Sequence, residues 1–167
     1  MPLRYFVDTS ALIVRYLTRA PGSARMQSIC DPAVGNEIAI AEITAAELSS
    51  SLNQLARGRV VRKSRVDQAL AVFRRQIADG EYHLMPAVWA NIERAALLCD
   101  THPLRGYDAV QLACALAYRD DARLADAQAL ASGGTALGDP VFVTEDRRLS
   151  DAAAAEGFAV DSPLVHP

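Results

Sequence analysis

Short apolar runs alternate with segments of helical periodicity along the chain, and this alternation limits the possible folds more than any other feature. The predicted strands are 3–8, 37–42, 82–85, 141–144 and 158–160. The predicted helices are 9–17, 23–31, 44–58, 65–80, 87–102, 107–120 and 145–157. This order predicts an α/β fold of three layers, in which a mainly parallel sheet of four or five strands carries helices on both faces. At 167 residues, we expect a single domain over 1–167.

Local signals refine these boundaries. Thr9 or Ser10 is placed to cap the first helix, and Pro86 marks the predicted start of the helix over 87–102. The stretch 120–139 is predicted to hold a short helix, at 122–130, followed by a loop rich in Gly and Ala.

Four acidic residues occupy different settings along this pattern. Asp8 follows the first strand, and Glu47 lies inside the helix after the second strand. Asp108 falls in the first turn of an almost wholly apolar helix, and Asp146 follows the fourth strand. Each could be an ordinary cap or surface residue, and Arg105 could pair with Asp108. Because parallel strands end at one edge of a sheet, the four carboxylates could instead converge there.

Converging carboxylates repel one another unless a cation lies among them, and hard oxygen ligands select Mg²⁺ or Mn²⁺. We therefore interpret Asp8, Glu47, Asp108 and Asp146 as metal ligands, direct or through water, at a site for phosphodiester hydrolysis by metal-activated water. Ser10 is expected to bond to a ligand carboxylate or to water on the metal. The histidines lack the spacing of a zinc site; they are His83, His102 and His166.

Net charge is −3, so the chain has no overall basic field, and polyanion binding must come from a local patch. One such patch is the stretch 56–65, which holds five cations and no acid: Arg57, Arg59, Arg62, Lys63 and Arg65. It could guide a phosphate backbone or be a solvated turn between helices, and both interpretations stay open. Trp89 and Tyr82 could stack on bases, but their spacing is more typical of core residues.

Three cysteines, Cys30, Cys99 and Cys114, lie in apolar segments without a paired spacing, which is typical of reduced core residues in a cytoplasmic protein. The N-terminus lacks the pattern of a secretory signal, and no apolar run approaches the roughly 18 residues of a membrane-spanning helix. We therefore expect a cytoplasmic protein that does not enter membranes.

Four segments in this order, VDTSAL, AAELSSSL, RGYDAVQLACAL and VFVTEDRRLSDAA, resemble the acidic motifs of PIN-domain ribonucleases. Their spacing is similar to that of the VapC-type toxins of bacterial and archaeal toxin–antitoxin pairs. The resemblance covers nearly the whole chain, although 120–139 is longer than the family's usual connection.

The resemblance implies a Rossmann-like sheet, Mg²⁺- or Mn²⁺-dependent endonucleolytic cleavage of RNA, homodimerisation and inhibition by a cognate antitoxin protein. By position, Asp8, Glu47, Asp108 and Asp146 match the acidic residues of the family. Leu48, Leu52 and Leu55 form a stripe that could line a groove for the antitoxin, although core is the commoner role. A PIN nuclease of RNA processing outside a toxin–antitoxin system and a non-catalytic RNA-binding PIN module remain alternatives.

Overall fold

The computed structural model describes residues 2–17 and 20–165, and His166 lies outside them. Within this part of the chain the strands are β1 Arg4–Val7, β2 Glu37–Ala41, β3 His83–Met85, β4 Val141–Val143 and β5 Val160–Asp161. The helices are α1 Thr9–Tyr16, α2 Ser23–Ile29, α3 Thr44–Arg57, α4 Lys63–Ala78, α5 Trp89–Thr101, α6 Gly106–Ala131 and α7 Arg147–Ala155.

The five described strands form one sheet in the order β3-β2-β1-β4-β5, and all four neighbouring pairs are parallel. Strand β1 is central, and all four of its side chains are buried, as expected for a parallel strand covered on both faces. Strand β2 pairs with one side of β1 and β4 with the other. The strand order therefore reverses at the junction of β1 and β4.

Helices cover both faces of the sheet and divide the core into two clusters. Because side chains alternate along a strand, Tyr5 and Val7 of β1 point into one cluster and Phe6 into the other. Helices α1 to α4 pack on the face of Tyr5, and α5 to α7 pack on the face of Phe6. This arrangement confirms the predicted three-layer α/β fold.

The stripe of leucines on α3 belongs mainly to the core. Leu48 and Leu52 are buried with α1 and α4, and Leu55 is half-buried at the edge of the same cluster. Tyr82 is also buried there. Trp89 is not: it is 72% exposed at the start of α5, so the core interpretation of this residue was wrong.

The stretch 120–139 differs from its prediction, because α6 continues without a break to Ala131. Residues 122–131 contain no Gly or Pro and are rich in Ala, so nothing in them ends a helix. Asp126 on this extension accepts hydrogen bonds from the backbone N–H groups of Leu137 and Gly138 and pairs with Arg4 at the start of β1. The extended helix thus anchors the loop that leads to β4.

Three smaller predictions were also wrong. Asp8 caps α1, because its carboxylate accepts the N–H of Ser10, whereas Thr9 and Ser10 lie within the helix. Helix α5 begins at Trp89, so Pro86 precedes it. All three cysteines are free as expected, but Cys99 is exposed, and only Cys30 and Cys114 are core residues.

Candidate active site

The carboxylates selected from the sequence lie around the carboxyl ends of the three central strands. Asp8 directly follows β1, and Asp146 lies three residues beyond the end of β4. Glu47 is in the first turn of α3, which follows β2. In open parallel sheets, ligands bind where the strand order reverses, and β1 and β4 form that point here.

Asp8 is buried, with 5% of its surface exposed, and hydroxyl groups surround it. Its Oδ2 accepts hydrogen bonds from the hydroxyls of Ser10 at 2.6 Å and Thr144 at 3.0 Å. Thr144 Oγ1 in turn accepts the backbone N–H of Asp146 at 3.0 Å. A continuous chain of hydrogen bonds therefore links the first and last of the four acidic positions across the junction of β1 and β4.

Burial raises the pKa of Asp8 to about 6. Hydrogen bonds from the Ser10 and Thr144 hydroxyls, and from backbone N–H groups, oppose this rise by favouring the charged form. In the absence of a cation, the ionised Asp8 carboxylate is thus held at an energetic cost that a neighbouring positive charge would reduce.

Asp108 reaches the same edge from the first turn of α6. Burial raises its pKa, and the negative charges of Asp146 and Glu47 raise it further, which places all three carboxylates within electrostatic range of one another. The backbone N–H and the charge of Arg105 act in the opposite direction. No ion pair within 4 Å joins Arg105 to Asp108 in the described residues, so the structural alternative raised by the sequence is not realised.

Glu47 lies in a buried polar network that the sequence did not predict. Its Oε2 accepts hydrogen bonds from Thr9 Oγ1 at 2.7 Å and from Gln111 Nε2 at 2.8 Å. Gln111 also donates to the hydroxyls of Thr9 and Thr44, at 2.9 and 3.0 Å. The available signal was one amide in the apolar segment YDAVQLACAL, three residues after Asp108 and therefore on the same face of α6.

Glu145 directly precedes Asp146, but its carboxylate is engaged elsewhere. Its two oxygens accept hydrogen bonds from Ser162 Oγ and from the backbone N–H of Leu164, each at 3.0 Å. Asp146 instead caps α7 by accepting the N–H of Leu149 at 3.0 Å. Of these two adjacent acids, Glu145 is therefore tied to the C-terminal segment.

The cationic stretch 56–65 lies at the other end of α3 from Glu47. Ten residues of helix separate Glu47 from Arg57, which is roughly 15 Å at 1.5 Å per residue. All five cations of the stretch are exposed, and Lys63 pairs with Asp67. Nearer the carboxylates, the side chains of Arg105, Arg147 and Arg148 are exposed at the start of α6 and α7.

The donor set fits a hard divalent cation, since it consists of carboxylate oxygens whose charges oppose one another. Among residues 2–17 and 20–165, however, no group of three or more His, Cys, Asp or Glu side chains is arranged so that it could hold a metal ion. Asp8 and Glu47 each direct one oxygen to hydroxyl groups instead. Direct coordination by three carboxylates is therefore not formed among the described residues, and the ligand assignment stays a prediction.

Across the part of the chain that the structure describes, none of the helices combines the length and the apolar character needed to cross a bilayer.

A family model and two curated proteins are similar to this chain over most or all of its length. The family model of the PIN domain matches residues 5–155. Two curated proteins of Mycobacterium tuberculosis, Ribonuclease VapC45 and Ribonuclease VapC49, are each 32% identical to this chain over 174 residues, with 100% of both chains covered.

Solved structures with a similar fold cover almost all of the chain. PAE2754 from Pyrobaculum aerophilum aligns with a TM-score of 0.58 and 19% identity, over 98% of this chain and 88% of that one. VapBC2 from Rickettsia felis, solved with a promoter DNA fragment, aligns with a TM-score of 0.57 and 12% identity, over 96% and 98%. A toxin–antitoxin complex from Klebsiella pneumoniae aligns with a TM-score of 0.53 and 18% identity, over 95% and 97%. At these identities the likeness concerns the fold.

Proposed function

The chain belongs to the PIN-domain family, among the VapC ribonucleases, and from this premise we propose that it is an Mg²⁺-dependent endoribonuclease and the toxin of a VapBC-type pair. Mn²⁺ is the alternative ion, since the same oxygen ligands suit both. The reaction is hydrolysis of an RNA phosphodiester: the oxygen of water adds to phosphorus, and one ester bond breaks to leave a phosphate monoester and a hydroxyl group.

One observation carries the proposal: Asp8, Glu47, Asp108 and Asp146 come from distant parts of the chain and lie around the carboxyl ends of the central strands. The charges of Asp146 and Glu47 raise the pKa of Asp108. The hydroxyl of Thr144 donates to the Asp8 carboxylate and accepts the backbone N–H of Asp146. Neither Arg105 nor any other described basic residue forms an ion pair with these four acids. Because clustered acids without a counter-charge destabilise a fold, this arrangement favours a site that binds a cation.

We assign the residues as follows. Asp8, Glu47, Asp108 and Asp146 would hold the divalent ion, directly or through water. When bound, such an ion neutralises charge on the phosphate and lowers the pKa of water. Ser10 and Thr144 fix the orientation of Asp8 through their hydroxyl hydrogen bonds.

Removal of divalent ions tests this function. The purified protein should cleave total RNA with Mg²⁺ or Mn²⁺, lose cleavage in EDTA, and regain it when Mg²⁺ is restored in excess. The measurement is the rate of loss of intact RNA on a denaturing gel. Cleavage that persists in EDTA would contradict a metal-dependent mechanism.

The cationic side chains suggest two places where RNA could contact the protein. Arg105, Arg147 and Arg148 lie beside the carboxylates, and the exposed stretch 56–65 lies at the far end of α3. In that stretch Arg59 has φ 57°, the only positive φ among described residues other than glycine. A glycine would adopt this backbone with less strain, and the arginine found here places an exposed cation at this turn.

Neutralising part of the cationic stretch should weaken RNA binding and reduce its dependence on salt. For the double variant Arg59→Gln and Arg62→Gln, the slope of log Kd against log salt should fall by about 0.7 for each phosphate that the protein no longer neutralises. Fluorescence anisotropy with single-stranded RNA at several salt concentrations measures this. Arg147→Gln with Arg148→Gln is the matched comparison beside the carboxylates. If only that pair changes the slope, the stretch 56–65 does not contact RNA.

A cognate antitoxin and a second copy of this chain are the protein partners that we propose. The antitoxin is supported by the structural neighbours whose names describe VapBC and toxin–antitoxin complexes. A homodimer is supported by α5, where Trp89 and Leu97 are 72% and 67% exposed and lie eight residues apart on one helix face. Free cysteines, with Cys30 and Cys114 buried, are consistent with the reducing cytoplasm as the compartment.

A further inference from the structure

We infer that Gln111 is a positioning residue that selects which oxygen of Glu47 is presented to the divalent ion. The inference rests on the proposed function of Glu47 as a ligand. It concerns the side chain of α6 that reaches across the sheet edge to α1 and α3, and it explains why an apolar helix carries a buried amide.

Gln111 is 1% exposed, so its amide must find its hydrogen-bond partners inside the protein. Those partners are Thr9 of α1 and Thr44 and Glu47 of α3. A single side chain therefore joins three helices at the point where two of them also carry proposed ligands. All four residues of this network lie on helices.

Two hydrogen-bond donors contact the same oxygen of Glu47. Gln111 Nε2 donates to Glu47 Oε2 at 2.8 Å and to Thr9 Oγ1 at 2.9 Å, and the Thr9 hydroxyl donates onward to the same Oε2 at 2.7 Å. Both donors converge on one oxygen, and no described residue donates a hydrogen bond to Oε1. Oε1 is thus the oxygen left for a metal ion or its water.

The orientation of the Gln111 amide is set by the carboxylate of Glu47, which accepts its hydrogen bond. Rotating the amide by half a turn would bring its oxygen against the carboxylate of Glu47, and two acceptors would then face each other without a hydrogen atom between them. A Met side chain of similar length would fill the same space without donating, so Glu47 could change rotamer. Loss of the amide should therefore affect the site more than the packing.

Gln76 offers a matched control. It is also a buried glutamine on a helix, accepting from the Tyr16 hydroxyl at 2.7 Å and donating to Glu81 at 3.0 Å. None of the four proposed ligands takes part in its contacts. Gln76→Met therefore removes a comparable buried amide away from the carboxylates.

The experiment compares wild type, Gln111→Met, Gln76→Met and Thr9→Val in the full chain. Binding of Mn²⁺ alone is measured by isothermal titration calorimetry below the thermal midpoint, together with kcat and KM for RNA and the thermal midpoint itself. For Gln111→Met, the Kd for Mn²⁺ should rise and kcat should fall by about 10- to 100-fold, with KM little changed. Gln76→Met should lower the thermal midpoint and leave the Kd for Mn²⁺ at its wild-type value.

Wild-type Mn²⁺ affinity in Gln111→Met, combined with a lower thermal midpoint, would overturn the inference and leave a purely structural amide. If Gln111→Met does not fold, Thr9→Val decides, because it removes the other donor to Glu47 Oε2 and an unchanged Kd would overturn the inference. A wild type that binds Mn²⁺ but cleaves no RNA would defeat the proposed function while the Kd values still test Gln111. A wild type that binds no Mn²⁺ would overturn both.

Discussion

Asp108→Asn is expected to abolish RNA cleavage while leaving the fold intact. The substitution keeps the size of the side chain and removes its charge, so the site loses one of four proposed anionic ligands. We expect kcat to fall by more than about 100-fold, which is beyond the range typical of groups that only support a ligand. Cleavage of total RNA with Mg²⁺, followed over time against wild type, measures the loss.

The same variant should be at least as stable as wild type without divalent ions. Burial and the charges of Asp146 and Glu47 raise the pKa of Asp108, so the ionised form is less favourable in the folded state than in the unfolded chain. This cost grows as the pH rises above the ordinary pKa of aspartate, and at pH 7 a neutral Asn removes it. Urea unfolding in EDTA at pH 7 should therefore show an unchanged or higher free energy of unfolding.

Asp120→Asn is the matched control, since Asp120 is an exposed acid on the same helix and, among the described residues, forms its ion pair with Arg94. Its RNA cleavage should equal that of wild type. Two results would contradict the assignment: near-normal cleavage by Asp108→Asn, or a loss of activity that accompanies a large loss of stability. The second would indicate that Asp108 supports the helix and not the chemistry.

The sheet could be predicted because its signal is local. A run such as 3–8 is short, apolar and bounded by helix-forming sequence, which identifies a buried strand without knowledge of its neighbours. The end of α6 was predicted less accurately, because the sequence was divided into two helices where the structure has one. Residues 122–131 carry no helix breaker, but the contact that anchors them is the pairing of Asp126 with Arg4, 122 residues earlier in the chain.

In the candidate site, too, local features could be predicted and contacts between distant residues could not. A carboxylate at a strand end, such as Asp8, is visible in the sequence because parallel strands place their carboxyl ends together. The partners of that carboxylate are not visible, since Thr144 and Asp8 are 136 residues apart. The sequence shows Gln111 as a single amide within an apolar helix, but its hydrogen bonds to Thr9 and Glu47 become visible only in the fold.

Leu48 and Glu47 show how the core and the site share one helix. Glu47 is in the first turn of α3 and turns toward the sheet edge, while Leu48 is fully buried beneath it. Leu48 belongs to the core cluster that α1 to α4 form on the face of the sheet where Val7 of β1 is buried. The position of the Glu47 backbone therefore depends on how well Leu48 fills this space.

Leu48→Ala is expected to destabilise the protein by about 2–5 kcal/mol, because it removes buried methyl groups and leaves a cavity that the packed core closes only in part. That is a large fraction of the roughly 5–15 kcal/mol that stabilises a typical domain. Urea unfolding followed by circular dichroism measures the change in the free energy of unfolding.

Leu124→Ala provides the matched control, with the same change on a helix position of α6 that is 61% exposed, and its effect should stay within about 0.5 kcal/mol. The two variants also separate stability from chemistry. At a temperature where Leu48→Ala remains folded, its RNA cleavage should fall only if the cavity lets the start of α3 shift and moves Glu47 relative to Asp108. A destabilised variant with wild-type kcat would mean that the contacts of Glu47 with Thr9 and Gln111 hold the carboxylate in place even when the helix beneath it is loosened.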